Sequence, residues 1–112
     1  MEEIKKHNPF LGVLEKGKNS NLFILENDSA VSFPDMFPKT PVHILVIPKK
    51  EYLDFYTFQQ EASEKEKLDF WNCVSGTIKK LDLYSKGFKI ISNCGDFGQQ
   101  EVFHFHVHIQ SN

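Results

Sequence analysis

Three histidines alternate with apolar residues near the end of the chain. His104, His106 and His108 are separated by Phe105 and Val107. In a β-strand, successive side chains point to opposite faces, so the three imidazoles would share one face. A helix would scatter them around its circumference. The alternation therefore predicts a strand with a row of titratable groups on one face and a core-facing row on the other, formed by Phe103, Phe105, Val107 and Ile109.

Apolar runs bounded by turn-forming residues predict the other strands. They lie at residues 10–15 and 21–26 as a hairpin, and then at 30–33, 42–47 and 88–92. The run 42–47 is interrupted only by His43, which is typical of a strand buried on both faces. The segments 34–41, with three prolines, and 93–98 are expected to be loops.

One long helix is expected after Ser63, which with Glu66 forms a capping-box pattern. Its apolar stripe is predicted at helical spacing, and residues 51–58 fit either a short helix or a packed loop. Several consecutive strands with one main helix predict an α+β fold with an antiparallel sheet of about five strands. The predicted stripe consists of Leu68, Trp71, Ser75, Ile78 and Leu81, widened by Phe70 and Val74.

Length and charge limit the classes of protein to which the chain can belong. Its 112 residues suit a single domain, 1–112, in which residues 1–9 form a loose N-terminal segment. A net charge of −2 gives no field that would attract a nucleic acid polymer or an anionic membrane. There is no signal-peptide pattern and no run of roughly 20 apolar residues. Cys73 and Cys94 are expected to be reduced thiols, which favours a cytoplasmic location.

The histidine row has three interpretations. It could be a solvated surface strand, although three imidazoles in register need a reason. It could bind zinc through three histidines, but residues i and i+2 share a face without necessarily converging on one point. It could carry out nucleophilic and acid–base chemistry, since imidazole titrates near neutral pH and one ring can attack while a neighbour donates a proton.

Residues 100–109, Gln-Glu-Val-Phe-His-Phe-His-Val-His-Ile, resemble the signature of the histidine triad (HIT) family of nucleotide hydrolases and transferases. That signature is His-φ-His-φ-His-φ-φ, where φ is apolar. The stretches 33–38 and 40–49 resemble the family's other shared block. The resemblance covers roughly residues 20 to 109, and two blocks in the right order make it specific.

The resemblance implies a role for each matching position. His106 matches the nucleophile that attacks the α-phosphorus of a nucleoside 5′-phosphate derivative, and His108 matches the residue that contacts the phosphate and assists the leaving group. His104 and His43 match supporting histidines of the site. Phe33 and Asp35 match positions near the base and the ribose. The phosphate-contacting positions are matched by Asn93, Gln100, Glu101 and Val102.

The implied activity is hydrolysis of nucleoside 5′-phosphoramidates, with a purine base, or of related nucleotidyl conjugates, through a covalent nucleotidyl-histidine. No cofactor or metal is expected. The partner is a nucleotide substrate, and the protein is expected to be a homodimer. The helix face of Phe70, Trp71 and Val74 could form the interface or pack wholly within the chain. Two alternatives remain open: a dinucleoside polyphosphate hydrolase and a non-catalytic nucleotide-binding module.

The chain departs from the family pattern at several positions. Gln110 occupies the final apolar position, so the last strand is expected to end there. The sequence Gly98-Gln99-Gln100 and the carboxylate of Glu101 alter the phosphate loop. The N-terminal region is expected to lack the amphipathic helix found in one branch of the family, and only four residues follow the triad.

Overall fold

The computed structural model describes residues 8–112, which form one five-stranded antiparallel sheet with three helices. The strand order is β1-β2-β3-β5-β4. The predicted α+β fold is therefore confirmed. No helix in residues 8–112 is long and apolar enough to span a membrane. The elements are α1 (Pro9–Gly17), β1 (Leu25–Glu26), β2 (Ala30–Pro34), β3 (Val42–Pro48), α2 (Phe55–Glu61), α3 (Glu64–Lys80), β4 (Lys89–Ile91) and β5 (Val107–Ser111).

Residues 10–15 were predicted to form the first strand of a hairpin. They lie in helix α1 instead, so that prediction was wrong. The side chain of Asn8 caps the helix by accepting the Phe10 N–H, and Pro9 occupies the first turn, where its missing N–H costs nothing. The expected absence of an N-terminal amphipathic helix is also wrong. Of the segment 1–9 predicted to be loose, residues 1–7 lie outside the described part of the chain, and Asn8 and Pro9 begin α1.

Helix α3 begins as predicted, but it packs through a different face. Ser63 accepts the Glu66 N–H, and the Glu66 carboxylate accepts the Ser63 N–H, so the capping box is present. Leu68 and Trp71 from the predicted stripe are 63% and 38% exposed. The buried residues of this helix are Phe70, Cys73, Val74 and Thr77.

Phe70 and Val74 belong to the intramolecular core, so this part of the helix face packs within the chain, which was the alternative to a dimer interface. The ambiguous segment 51–58 is a short loop followed by α2, whose Phe58 is buried.

The two faces of the sheet are covered unequally. Helices α2 and α3 cover one face, where Ile44, Val46 and Val107 pack with Phe58 and Phe70. On the other face, Phe10 of α1 packs on a second apolar cluster formed by Val31, Phe33, Leu45 and Ile47. The prediction that β3 is buried on both faces is confirmed. Because α1 covers only the part near β2, the region around His43 and His108 remains open.

The histidine segment alternates as predicted, although only its second half lies in the sheet. Phe105, Val107 and Ile109 are buried in the core, whereas Phe103 is exposed, so its predicted place in the core was wrong. The strand β5 starts at Val107 and continues through Gln110 to Ser111 rather than ending at Gln110. Backbone pairing on both sides holds it, since Gln110 lies opposite His43 on β3 and Lys89 on β4. Cys73 and Cys94 are free, as expected.

Candidate active site

A cleft of about 570 Å³ opens on the sheet face that α1 leaves uncovered. It lies between α1, the β2–β3 loop and the segment preceding β5. Of the ten site residues predicted from the sequence, eight line it: Phe33, Asp35, His43, Asn93, Glu101, Val102, His106 and His108. His104 and Gln100 do not line the cleft. The structure thus brings together residues that are up to 75 positions apart in the chain.

His104 is completely buried and held by two hydrogen bonds. Its Nδ1 lies 2.9 Å from the Asn8 side-chain nitrogen, and its Nε2 lies 2.8 Å from the Pro48 carbonyl oxygen. An amide nitrogen donates and a carbonyl oxygen accepts, so Nδ1 is the acceptor and the proton is on Nε2. Burial lowers the pKa of His104, which keeps the ring neutral. This ring therefore ties the first residue of the triad to the cap of α1.

His106 is oriented by the backbone of its neighbour. Its Nδ1 lies 2.7 Å from the His104 carbonyl oxygen, which can only accept, so the proton is on Nδ1. The Nε2 lone pair of the neutral ring is therefore free. The ring packs edge-on against Phe10, with 5.1 Å between centroids. Burial lowers the pKa of His106. A neutral imidazole with an unshared pair on Nε2 is the protonation state that a nucleophile requires.

His43 and His108 form a hydrogen-bonded pair. The backbone N–H of Lys39 donates to His43 Nδ1 over 3.0 Å, so the proton of a neutral His43 is on Nε2. That atom lies 2.9 Å from His108 Nδ1, which accepts. The proton of neutral His108 is then on Nε2. Burial, followed by the charges of His106 and His43, lowers the pKa of His108 to about 4. The chain of bonds leaves His108 as an N–H donor.

Asp35 lies at the edge of the cleft beside this pair. One carboxylate oxygen accepts the Phe37 N–H over 2.8 Å, and the other is 3.3 Å from His43 Nε2. Asp35, His43 and His108 are the one trio among residues 8–112 whose ligand-type atoms lie within 4.8 Å of one another. This trio differs from the row of three triad histidines that the sequence suggested for zinc. Its two imidazole nitrogens already bond to each other, so a metal would have to displace that bond.

Side-chain hydrogen bonds of Gln100 hold the loop before β5 in place. Gln100 accepts the Gly95 N–H and donates to the carbonyl oxygens of Leu53 and Val102. Its amide therefore holds the loop instead of facing the cleft. Asn93 donates to the Gly98 carbonyl oxygen over 2.8 Å and lines the cleft. Glu101 is exposed, so water can solvate its carboxylate at the cleft's edge.

Three residues that contribute to the site were not predicted from the sequence. Phe10 packs against the rings of both His104 and His106, Asn8 fixes the His104 tautomer, and Lys39 lines the cleft. The Asn8-Pro9 pair could have revealed the first two, because Asn at an N-cap followed by Pro is a helix-start signal. The position of Lys39 depends on the path of a proline-rich loop, for which no sequence pattern exists.

The lowered pKa values predict a loss of stability in mild acid. Unfolding returns His104, His106 and His108 to an ordinary pKa of 6.5, so the unfolded chain binds more protons below that pH. The free energy of unfolding should be flat above pH 7 and fall as the pH decreases from 6.5 toward 4. His108 alone should contribute about 2 kcal/mol after allowance for its partial exposure.

Urea titrations at pH 7.5 and pH 5.0 measure this loss, and His108→Asn is the matched variant that should lose less. Glu66 does not contribute to this loss, because hydrogen bonding to Ser63 lowers the pKa of its carboxyl from 4.5 and the group therefore titrates at more acidic pH. Equal stability at the two pH values would contradict the prediction.

Comparison with known proteins gives a consistent result. The HIT domain family model matches residues 16–112. A HIT-like protein of Rickettsia prowazekii is 36% identical over 104 residues, covering 93% of this chain and 86% of that protein. Adenylylsulfatase HINT1 of Arabidopsis thaliana is 37% identical over 89 residues, covering 77% of this chain and 58% of that protein. A solved structure described as a Hit Like Protein superposes with a TM-score of 0.78 at 34% identity, covering 95% of this chain and 99% of the other. The chain therefore belongs to the HIT family.

Proposed function

We propose that the cleft binds a nucleoside 5′-phosphate derivative and that His106 attacks its α-phosphorus. The observation that carries the proposal is the 2.7 Å bond from His106 Nδ1 to the His104 carbonyl oxygen, which leaves Nε2 of a neutral ring as the lone-pair nitrogen. The substrates are nucleoside 5′-phosphoramidates, with a purine favoured, or related nucleotidyl conjugates. The products are the nucleoside monophosphate and the released group.

The reaction divides into two displacements. In the first, the Nε2 lone pair of His106 forms a bond to phosphorus while the bond from phosphorus to the leaving group breaks. The leaving group takes that electron pair and a proton from Nε2 of His108. In the second, water attacks phosphorus, its proton passes to His108, and the bond to His106 breaks. His106 is then regenerated, and dividing one displacement into two lowers each barrier.

His43 supports His108 during proton transfer. When His108 gives up its Nε2 proton, negative charge develops on the ring, and the His43 N–H donor stabilises it. His104 acts as a positioning residue, since its carbonyl oxygen orients His106. The tautomers assigned above make this chain of donors run in one direction, from the Lys39 N–H to the substrate.

The nucleoside is assigned to the end of the cleft nearest α1. Phe10, Val13, Phe33 and Val102 give that end apolar walls that suit a base. Asp35 is assigned to the ribose hydroxyls, from which a carboxylate accepts two hydrogen bonds. In the free protein one of its oxygens is close to His43, so ribose binding would compete with that contact. Asn93 is the amide contact to the phosphate, while Gln100 contributes by shaping the loop.

The name of the Arabidopsis relative, Adenylylsulfatase, supports nucleotidyl cleavage as the reaction class. A dinucleoside polyphosphate hydrolase would use the same histidines and differs in the leaving group. A non-catalytic nucleotide-binding module is the remaining alternative, and the carboxylate of Glu101 beside the phosphate position is the feature that favours it.

The test is hydrolysis of adenosine 5′-phosphoramidate, diadenosine tetraphosphate and adenosine 5′-phosphosulfate, each with and without a chelator. We expect turnover that the chelator does not change. Loss of turnover with the chelator, restored by zinc, would replace the proposal with a metal-dependent one at Asp35, His43 and His108. Nucleotide binding without turnover of any substrate would establish the binding module instead.

We also propose a homodimer located in the cytoplasm, where the free thiols of Cys73 and Cys94 would stay reduced. Strand β4 is paired on one side only, and its Ile90 side chain is exposed and offers apolar area there. Sedimentation equilibrium at micromolar concentration measures the assembly, and a monomer mass would exclude it.

A further inference from the structure

A second depression of about 300 Å³ lies beyond His108 along β5. Gln110 lines both this depression and the catalytic cleft. Gln110 lies two positions beyond His108 on β5, about 6.6 Å along the same face. We call the second depression the distal groove; it is lined by Thr40, Pro41, Lys86, Gly87, Phe88, Lys89, Gln110, Ser111 and Asn112.

Charge is distributed unevenly along the two spaces. The carboxylates of Asp35 and Glu101 line the catalytic cleft, whereas no Asp or Glu side chain lines the distal groove. Lys89 lies opposite Gln110 in the β4–β5 register and shares its face of the sheet. Lys39 lines the catalytic cleft on the His108 side, and its positive charge contributes to the lowered pKa of His108. The cationic end is therefore the one that lies beyond His108.

Within residues 8–112, neither of these two lysines forms an ion pair with Asp or Glu. Every ion pair of Lys and Asp or Glu within residues 8–112 involves other lysines, namely Lys18, Lys49 and Lys65. Lys86, which also lines the distal groove, differs from Lys39 and Lys89 because its ammonium group donates to the Asn112 carbonyl oxygen. Lys39 thus lines the catalytic cleft, Lys89 lines the distal groove, and Gln110 lines both.

We propose that the distal groove holds an anionic leaving group, a sulfate or phosphate joined to the α-phosphorus, with Lys39 and Lys89 as its cationic contacts. This inference rests on the proposed function, since it takes His106 as the attacking group. A leaving sulfate or phosphate gains negative charge as its bond to phosphorus breaks, and ammonium groups placed there stabilise that change. A neutral amine leaving group is not stabilised by these ammonium groups. Among the nucleotidyl conjugates proposed above as substrates, the groove therefore favours anhydrides.

Binding to an inactive protein tests the groove without turnover. In His106→Ala, calorimetry with AMP and ADP compares ligands that differ by one phosphate. We expect ADP to bind about tenfold more tightly, and this ratio to fall to near one in the Lys39→Gln, Lys89→Gln double variant. AMP affinity should fall less than ADP affinity. Lys79→Gln is the matched control, because it removes the same charge from α3 on the other side of the sheet.

Kinetics in the active protein distinguish between the sources of the anion. The Lys39→Gln, Lys89→Gln double variant should reduce kcat/KM about tenfold more for adenosine 5′-phosphosulfate, for diadenosine tetraphosphate, or for both, than for adenosine 5′-phosphoramidate. The substrate that loses more identifies the leaving group. Because all three reactions need His108, the comparison cancels any effect of Lys39 on that ring. Arginine at both positions should restore the rates.

The outcomes separate the two proposals. If AMP binds and phosphoramidate is hydrolysed, but ADP binds no more tightly and the lysine variants lower all three rates equally or none, the distal groove is overturned and the proposed function stands. If neither nucleotide binds and no substrate is hydrolysed, both are overturned.

Discussion

Replacing His106 by alanine should reduce kcat for nucleotidyl hydrolysis at least about thousandfold. Without the imidazole, no atom of the protein is held where Nε2 of His106 is held by the bond from Nδ1 to the His104 carbonyl oxygen. Loss of a nucleophile removes at least ~4 kcal/mol of transition-state stabilisation. Nucleotide affinity should change little, since the base, ribose and phosphate contacts are assigned to other residues.

A second substitution separates chemistry from structure. The side-chain amide of His106→Asn can donate to the same His104 carbonyl oxygen, so the local hydrogen bond is retained while the nucleophile is removed. Both variants should lose turnover equally, as measured by single-turnover hydrolysis of the best substrate. In His106→Gly, added imidazole should restore part of the rate by occupying the vacated space. Turnover that persists in both variants would exclude the covalent mechanism.

The parts of the fold that sequence predicts well are those in which one local pattern has a single physical outcome. The period-two alternation around Phe105 and Val107 can place apolar side chains on one side only if the segment is extended, and both residues are buried. The capping box of Ser63 and Glu66 is equally local, because its two hydrogen bonds join residues three apart. Neither result depends on the rest of the chain.

The errors arise where two local patterns compete. In α1, a short apolar run followed by a turn-rich connector suggested a hairpin, yet Phe10, Val13 and Leu14 recur at helical spacing and pack on the sheet. In α3 two overlapping apolar stripes exist, and only the position of the sheet decides that Phe70 and not Trp71 is buried. Tertiary packing therefore determined both the helical structure of α1 and the buried face of α3.

In the candidate site too, local sequence predicts some features, and long-range packing determines the others. The identity of its histidines follows from motif resemblance, but their protonation states depend on distant partners. The 2.9 Å bond between His43 and His108 follows from the β3–β5 register, and the His104 tautomer follows from Asn8 at the cap of α1. Register and helix placement are long-range properties, which a single sequence does not specify.

Phe105→Ala should lower the free energy of unfolding by about 3–5 kcal/mol, because the ring is buried at the centre of the core. It stacks on Phe58 with centroids 4.8 Å apart and contacts Phe70 at 4.9 Å. Domains of this size have only about 5–15 kcal/mol of stability, so the loss is a large fraction of it. The matched control is Phe97→Ala, whose ring is fully exposed and whose removal should cost less than about 0.5 kcal/mol.

Phe105 lies between His104 and His106, so the packing that stabilises the core should also set the position of the two histidines. Its N–H donates to the Tyr52 carbonyl oxygen over 2.6 Å, and its ring fixes the segment from the core side while the two imidazoles face the other way. Phe105→Leu should therefore cost less stability than alanine while retaining the anchor. Urea unfolding measures the free energies, and activity per folded molecule, taken well below the midpoint, measures the alignment of His106. If alanine lowers stability but leaves that activity unchanged, the core side of the strand does not set the position of the nucleophile.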